Sequence, residues 1–228
     1  EVPENFLKRL QVLSSSVEYS IAHRSDVERL FPDGVKNNFV VTLSKYPITN
    51  QGEIQFPEYW HLLPLRTRLF VRLMRPFGFS MIRNRGGLYV DVTVHGKSMR
   101  VMNLHLILAQ PAWRLKEFEI AMAERDHSRP TIVCGDFNII ESPRISLLNW
   151  LLGGSIADAV LYYRERTRIE KRFVEHELLN PLRGKITHSF GGSQLDHILV
   201  SHSFTIKDAS VLSDRIGSDH HPIRVEVE

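Results

Sequence analysis

Cysteine is nearly absent. Cys134 is the only one in 228 residues, which excludes an internal disulfide and any cysteine-rich zinc site. A chain without such staples must rely on its core, and this length is enough to bury one. No stretch nears the run of roughly 18 apolar residues that a membrane-spanning helix needs. There is no Gly-x-Ser-x-Gly elbow for acyl transfer and no Gly-x-x-x-x-Gly-Lys-Ser/Thr loop for nucleoside triphosphates. Internal repeats, low-complexity tracts and Gly/Ser linkers are missing too. The formal net charge is only +3, too near balance to name a partner. Hydrophobic residues make up 43% and charged residues 24%, a mixture that excludes disordered and fibrous classes.

Length and composition together predict one domain over residues 1–228, at roughly 150 residues per domain. The lone cysteine fits a reducing compartment, so a cytoplasmic location is the expectation. The chain opens with Glu1 and shows no signal-peptide pattern, so the domain is expected to belong to a longer chain extending upstream.

Eleven histidines are present, and imidazole does proton and metal chemistry near neutral pH. Apolar periodicity predicts a helix over Glu4–Leu13, with Phe6, Leu7, Leu10 and Leu13 on one face. Phe39–Leu43 reads as a buried strand. Leu88–Val94 alternates and turns through His95-Gly96-Lys97 into Arg100–Leu106, a hairpin. A helix over Ala112–Arg125 opens at Pro111, with Leu115, Phe118 and Met122 inward. Thr131–Cys134 is another strand, and Ile145–Leu152 a short helix ended by Gly153-Gly154. Leu195–Val200, Phe204–Leu212 and Ile223–Val227 close the chain as strands. This mixture predicts an α/β domain, its sheets covered by helices.

Arg66–Arg85 stands apart in charge. It carries six arginines, with no acidic residue between Glu58 and Asp91, interleaved with Leu69, Phe70, Val71, Leu73, Met74, Phe77 and Phe79. Guanidinium forks pair with phosphates, and aromatic rings stack on bases or enter a lipid interface. The other reading is a surface loop with solvated arginines and apolar residues packed on the core.

Four short segments place acid, amide and imidazole groups at the ends of apolar strands. They are Asn103-Leu104-His105-Leu106, Gly135-Asp136-Phe137-Asn138, Leu195-Asp196-His197 and Ser218-Asp219-His220-His221-Pro222. Each alone is ordinary turn chemistry, since Asp and Asn bond their own backbone. Their combination is not. A carboxylate can orient or deprotonate water, an imidazolium can stabilise a developing oxyanion, and a second carboxylate can hold that imidazole. Oxygen ligands without cysteine suit Mg²⁺ or Mn²⁺ better than zinc. The set fits metal-assisted attack of water on a phosphate ester.

In this order the four segments resemble the endonuclease/exonuclease/phosphatase superfamily, which includes deoxyribonuclease I-like and exonuclease III-like enzymes. Leu43-Ser44-Lys45-Tyr46-Pro47-Ile48 and Thr187-His188-Ser189-Phe190 resemble two lesser family marks. The resemblance runs from Glu1 to Pro222. It implies a two-sheet α/β sandwich with outer helices and a metal-dependent phosphoesterase. Asp136 would activate the attacking water, and Asn138 would help hold water and phosphate. His220 would contact the scissile phosphate, with Asp196 holding its ring. His105 would bind the phosphate from the opposite side, and Arg114 would touch substrate phosphate. Asp219 and Glu1 would serve the Mg²⁺ or Mn²⁺ ion. His188 and His197 would be supporting residues. The family's first strands, one carrying a metal-site Asn, have no counterpart here, which is why the chain is expected to extend upstream.

The resemblance leaves the substrate open. Nucleic acid is favoured over phospholipid, on the arginine tract, which could alternatively contact a membrane surface. A phosphoinositide or phospholipid phosphodiesterase and a non-catalytic scaffold of the same fold are the alternatives. No protein partner follows from the sequence.

Overall fold

The structure, a computed structural model, describes residues 2–31, 34–108, 110–215 and 217–228. In chain order the strands are β1 (Val2–Pro3), β2 (Ser20–Phe31), β3 (Gly34–Ser44), β4 (Ile48–Gln55), β5 (Met81–Arg83), β6 (Gly86–Val94), β7 (Lys97–His105), β8 (Thr131–Asp136), β9 (Leu178–Leu179), β10 (Asp196–Ser201), β11 (Ile206–Val211) and β12 (Ile223–Val227). The helices are α1 (Glu4–Ser16), α2 (Leu65–Leu73), α3 (Pro111–Ala123), α4 (Pro143–Leu151), α5 (Ile156–Val160) and α6 (Tyr163–Glu175). A four-stranded sheet runs β1-β3-β2-β5, and a six-stranded sheet runs β4-β6-β7-β8-β10-β9. β11 and β12 pair separately. The two larger sheets face each other and helices cover the outside, the α/β sandwich expected from the sequence.

Side-chain alternation decides what each face of the six-stranded sheet meets. Leu88, Val90 and Val92 of β6 pack with Ala22 and Val40 of the opposite sheet. In β7, Val101 joins that inter-sheet layer and Asn103 donates to the Val41 carbonyl across it. The alternate residues Met102 and Leu104 turn the other way, onto Phe118 and Met122 of α3 and Phe173 of α6. Burying each such side chain stabilises the fold by roughly 1.5–3 kcal/mol. The β6–β7 hairpin turns through His95 and Gly96, both at positive φ (49° and 78°). That backbone matches the twist of the strands it joins.

Three expectations need correction. The α1 face is largely unburied: Leu7 is covered, but Phe6 and Leu13 are 48% and 59% exposed, with the helix lying along β1, β2 and β3. The Arg66–Arg85 tract is no loop; it folds into α2, a 3-10 turn over Arg75–Phe77 and β5. β2, β4 and α6 were not evident in the sequence. Their polar residues (SIAHRSDVERLF, ITNQGEIQ and YRERTRIEKRFVE) mask the apolar rhythm.

Candidate active site

Strand register assembles the chemistry. β7 and β8 run parallel with His105 opposite Asp136. β8 and β10 run antiparallel with Asp136 opposite Asp196. The three residues therefore form one row across the sheet, at the ends of β7 and β8 and the start of β10. Close strand approach sets the glycine before Asp136. Gly135 has φ 128°, and a Cβ there would lie 1.9 Å from the Leu104 carbonyl oxygen, so only glycine fits.

The residues after Asp136 lock it in place. Phe137 is fully buried among Phe118 and Phe173, with ring centroids 6.1 and 5.9 Å away. Asn138 has φ 53°, a left-handed backbone that Asn tolerates better than most residues. Its N–H donates to Asp136 Oδ1 at 2.9 Å and its Nδ2 donates to the Leu106 carbonyl at 2.9 Å. Asn138 thus fixes the Asp136 carboxylate and the end of β7 at once.

Two histidine–aspartate pairs flank Asp136. On one side, His220 Nδ1 donates to Asp196 Oδ2 at 2.7 Å. On the other, His105 Nδ1 donates to Asp26 Oδ2 at 2.6 Å, and its Nε2 lies 3.8 Å from Asp136 Oδ2. The Asp196 hydrogen bond raises the His220 pKa against the effect of burial. Burial works against charge on His105, but Asp26, through charge and hydrogen bond, outweighs it and the pKa rises. Asp26 moves the other way: burial pushes it up, and His105 and Arg85 bring it below the ordinary value. Burial raises the Asp136 pKa, and Asp196 adds to the rise. A carboxylate poised upward between two imidazolium donors suits a base beside a developing negative charge.

Supporting residues hold the frame. The buried Thr187 hydroxyl accepts from the N–H groups of Leu195 and Asp196, at 3.0 Å each, which sets the start of β10. His197 is buried and stacks on Phe137 at 4.7 Å. Burial and the neighbouring Arg166 push its pKa well down, so it is neutral. Its Nδ1 donates to the Leu195 carbonyl and its Nε2 accepts from Arg166. Arg85 pairs with buried Glu117 and donates to the His105 carbonyl at 2.7 Å. Glu117 also accepts from the Ile107 N–H, which pins the chain beyond β7.

His188, Asp219 and His220 bring ligand atoms within 4.8 Å of one another. Asp219 is 82% exposed at its side chain, so its carboxylate is open to a ligand. The donor chemistry fits a divalent cation through the hard oxygen of Asp219, with the carboxylates of Asp136 and Asp196 nearby to balance its charge. The Gly191 N–H donates to His188 Nδ1, which leaves the His188 proton on Nε2, toward Asp219. His220 has only Nε2 left, since Nδ1 is taken by Asp196.

The structure thus brings together His105, Asp136, Asn138, Asp196, Asp219 and His220. Glu1 lies outside the described residues. Arg114 is the correction. It is 1% exposed, its Nε and Nη2 bond Glu165 at 2.5 and 2.7 Å, and its Nη1 bonds the carbonyls of Ile107 and Leu108. Those bonds commit its guanidinium inside the protein, so it ties α3 to α6 rather than meeting substrate. Asp26 was missed in the sequence. It sits in the polar strand β2, in no motif, and only sheet packing brings it to His105. The one signal was an acid flanked by residues of strand type, too common to single out.

The chain matches the profile of the Endonuclease/Exonuclease/phosphatase family over residues 3–220. No curated protein matches it by sequence. Among solved structures, it is similar to an endonuclease/exonuclease/phosphatase family protein from Leptotrichia buccalis, with TM-score 0.60 and 14% identity over 96% of this chain and 77% of that one. It is also similar to an endonuclease/exonuclease/phosphatase from Beutenbergia cavernae, with TM-score 0.61 and 19% identity over 97% of this chain and 57% of that one. A third is a mannosyl-6-phosphatase from Bacteroides thetaiotaomicron, with TM-score 0.53 and 17% identity over 98% and 82%. Identities this low carry the fold alone.

Proposed function

Since the chain belongs to the endonuclease/exonuclease/phosphatase family, a family of phosphoesterases, we propose that it hydrolyses phosphate esters with Asp136 as the base that orients and deprotonates water. The observation that carries this reading is the row His105–Asp136–Asp196 with an Asp–His pair on each side. Burial raises the Asp136 pKa, which strengthens it as a base toward water. His220 faces the phosphate with its Nε2 proton while Asp196 holds the ring charged and turned. His105 offers its Nε2 proton from the opposite flank, held by Asp26. Asn138 keeps the Asp136 carboxylate aimed. In this proposal a divalent cation of the Mg²⁺ or Mn²⁺ class is held by Asp219, with Glu1 as a further candidate ligand. Bound there, it would lower the cost of charge on the phosphate oxygens.

A non-catalytic scaffold would have no need for this arrangement. The nucleic-acid reading rested on the arginine tract, and packing weakens it. Arg66 donates to the carbonyls of Trp150 and Gly154, Arg83 pairs with Glu28, and Arg85 with Glu117. Three of the six arginines are thus engaged within the protein. The test is hydrolysis of a phosphate-ester panel (DNA, RNA, phospholipid, alkyl phosphate) with Mg²⁺ and with EDTA. Turnover should require the metal and fall by about 10⁴-fold in Asp136→Asn. Turnover that survives both would overturn the reading.

A further inference from the structure

Beside His105 and Asn138 the structure holds a cavity of about 370 Å³. Its walls are aromatic and aliphatic: Trp60, Leu63, Val71, Phe79, Ile107 and Trp113 line it. Its size and largely apolar lining are those of a small-molecule pocket, and Glu58, Arg85, His105 and Asn138 are among the polar groups in its wall. A polyanionic backbone gains nothing from such walls. An ester whose alcohol is a hydrocarbon would bury that part here while its phosphate meets His105.

Helix α2 lines one side of this cavity and carries apolar residues on both its buried and its exposed faces, alongside Arg66, Arg68 and Arg72. Thr67 and Val71 face inward and are buried. Leu65, Leu69 and Leu73, spaced four apart on one stripe, are 64%, 54% and 76% exposed, and Leu62 and Phe77 beside them are 67% and 75% exposed. Large apolar side chains exposed together in one patch mark an interaction surface. Phe77 both lines the cavity and stands at the surface, so the two apolar regions join. Glu58 lines the cavity, but the charge along α2 and the turn after it is of one sign. Arg72 and Arg75 are exposed, no acidic residue lies between Glu58 and Asp91, and neither arginine has an acidic partner among the described residues. Leucines and phenylalanine flanked by arginines are what an interfacial helix presents to anionic lipid.

We propose that the enzyme acts on a lipid phosphate at an anionic membrane surface, α2 resting on the bilayer and the hydrocarbon part of the ester entering the cavity beside His105. This rests on the phosphoesterase reading above. In the reaction the water oxygen bonds to phosphorus and one ester P–O bond breaks. One water proton ends on the released alcohol and the other stays on the phosphate.

The test is binding in EDTA, which does not depend on turnover. Trp60 and Trp113 report on the cavity, so their emission is followed while butyl, hexyl and octyl phosphate are titrated in turn. Affinity should rise about fourfold per methylene, and Val71→Phe should flatten the series. Vesicles of phosphatidylglycerol and phosphatidylcholine should sediment the protein. Leu69→Glu/Leu73→Glu should cut that binding at least tenfold, and Arg72→Gln or Arg75→Gln about fivefold each. A flat alkyl series, or tighter binding to a DNA hairpin than to vesicles, would overturn the proposal. So would self-association lost in the leucine variants, which would make α2 a contact between copies. A flat series with hydrolysis of some other ester sinks this inference alone. A steep series with no hydrolysis under Mg²⁺ sinks the phosphoesterase reading and leaves the pocket.

Discussion

The two histidine–aspartate pairs use the same hydrogen bond in different surroundings. In one, His220 comes from the loop before β12 and its partner Asp196 sits at the start of β10; their side chains are 25% and 18% exposed. In the other, His105 on the six-stranded sheet meets Asp26 on the four-stranded sheet, and their side chains are 17% and 0% exposed. The first pair joins a loop to the start of an inner strand. The second spans the two sheets. The difference teaches that one motif can serve chemistry alone or chemistry and fold together, and burial decides which. A charge that keeps about a fifth of its surface in water loses less when its partner goes. The Asp26 charge, sealed between the sheets, loses its main compensation.

Mutations can break that comparison. Asp26→Ala should cost the most, about 3–5 kcal/mol of stability, as breaking a buried ion pair does. It should also lower activity, because His105 loses its orientation. Urea unfolding and kcat measured on one preparation read both. Arg114→Ala should cost about as much stability, again as a broken buried pair, while activity per folded molecule stays near normal. Activity lost with stability intact would restore Arg114 to the substrate. His220→Ala should lower kcat by about 10²–10³-fold with the melting temperature nearly unchanged. If His220→Ala unfolded the protein, or Asp26→Ala left stability alone, the contrast between the pairs would collapse.

The same contrast explains what the sequence made legible. His220 and Asp196 stand in short polar motifs at strand ends, where a rigid sheet meets solvent, and such motifs read directly. Asp136 with Gly135 and Asn138 was equally plain, because close packing and a left-handed turn demand particular residue types. The β6–β7 hairpin and α3 followed from apolar period. Asp26 was hidden because its role depends on how two sheets stack, which no local pattern encodes. Arg114 misled for the related reason that a buried Glu165 partner, 51 residues away, leaves no mark beside it. The arginine tract showed its charge but not its pairing, so Arg66, Arg83 and Arg85 looked available when they were not.

The smallest expected effect is a shift with pH, and it isolates the buried pair. His105 has its pKa raised in the folded state. Its contribution is therefore full below the unfolded value, near 6.5, and fades as pH climbs through the folded value. Asp26 has its pKa lowered. Its contribution holds above the unfolded carboxylate value and fades as pH falls through the lower folded one. The pair should stabilise most between these limits, in the mildly acid to neutral range. Asp26→Asn keeps the shape and removes the charge. The stability gap between the native chain and this variant should be widest in that window and should narrow on either side. In the variant the His105 imidazole signal, followed by NMR, should titrate at a lower pH than in the native chain. An unchanged titration would mean that His105 draws its charge from Asp136 instead, and that the buried aspartate acts only as a strut between the sheets.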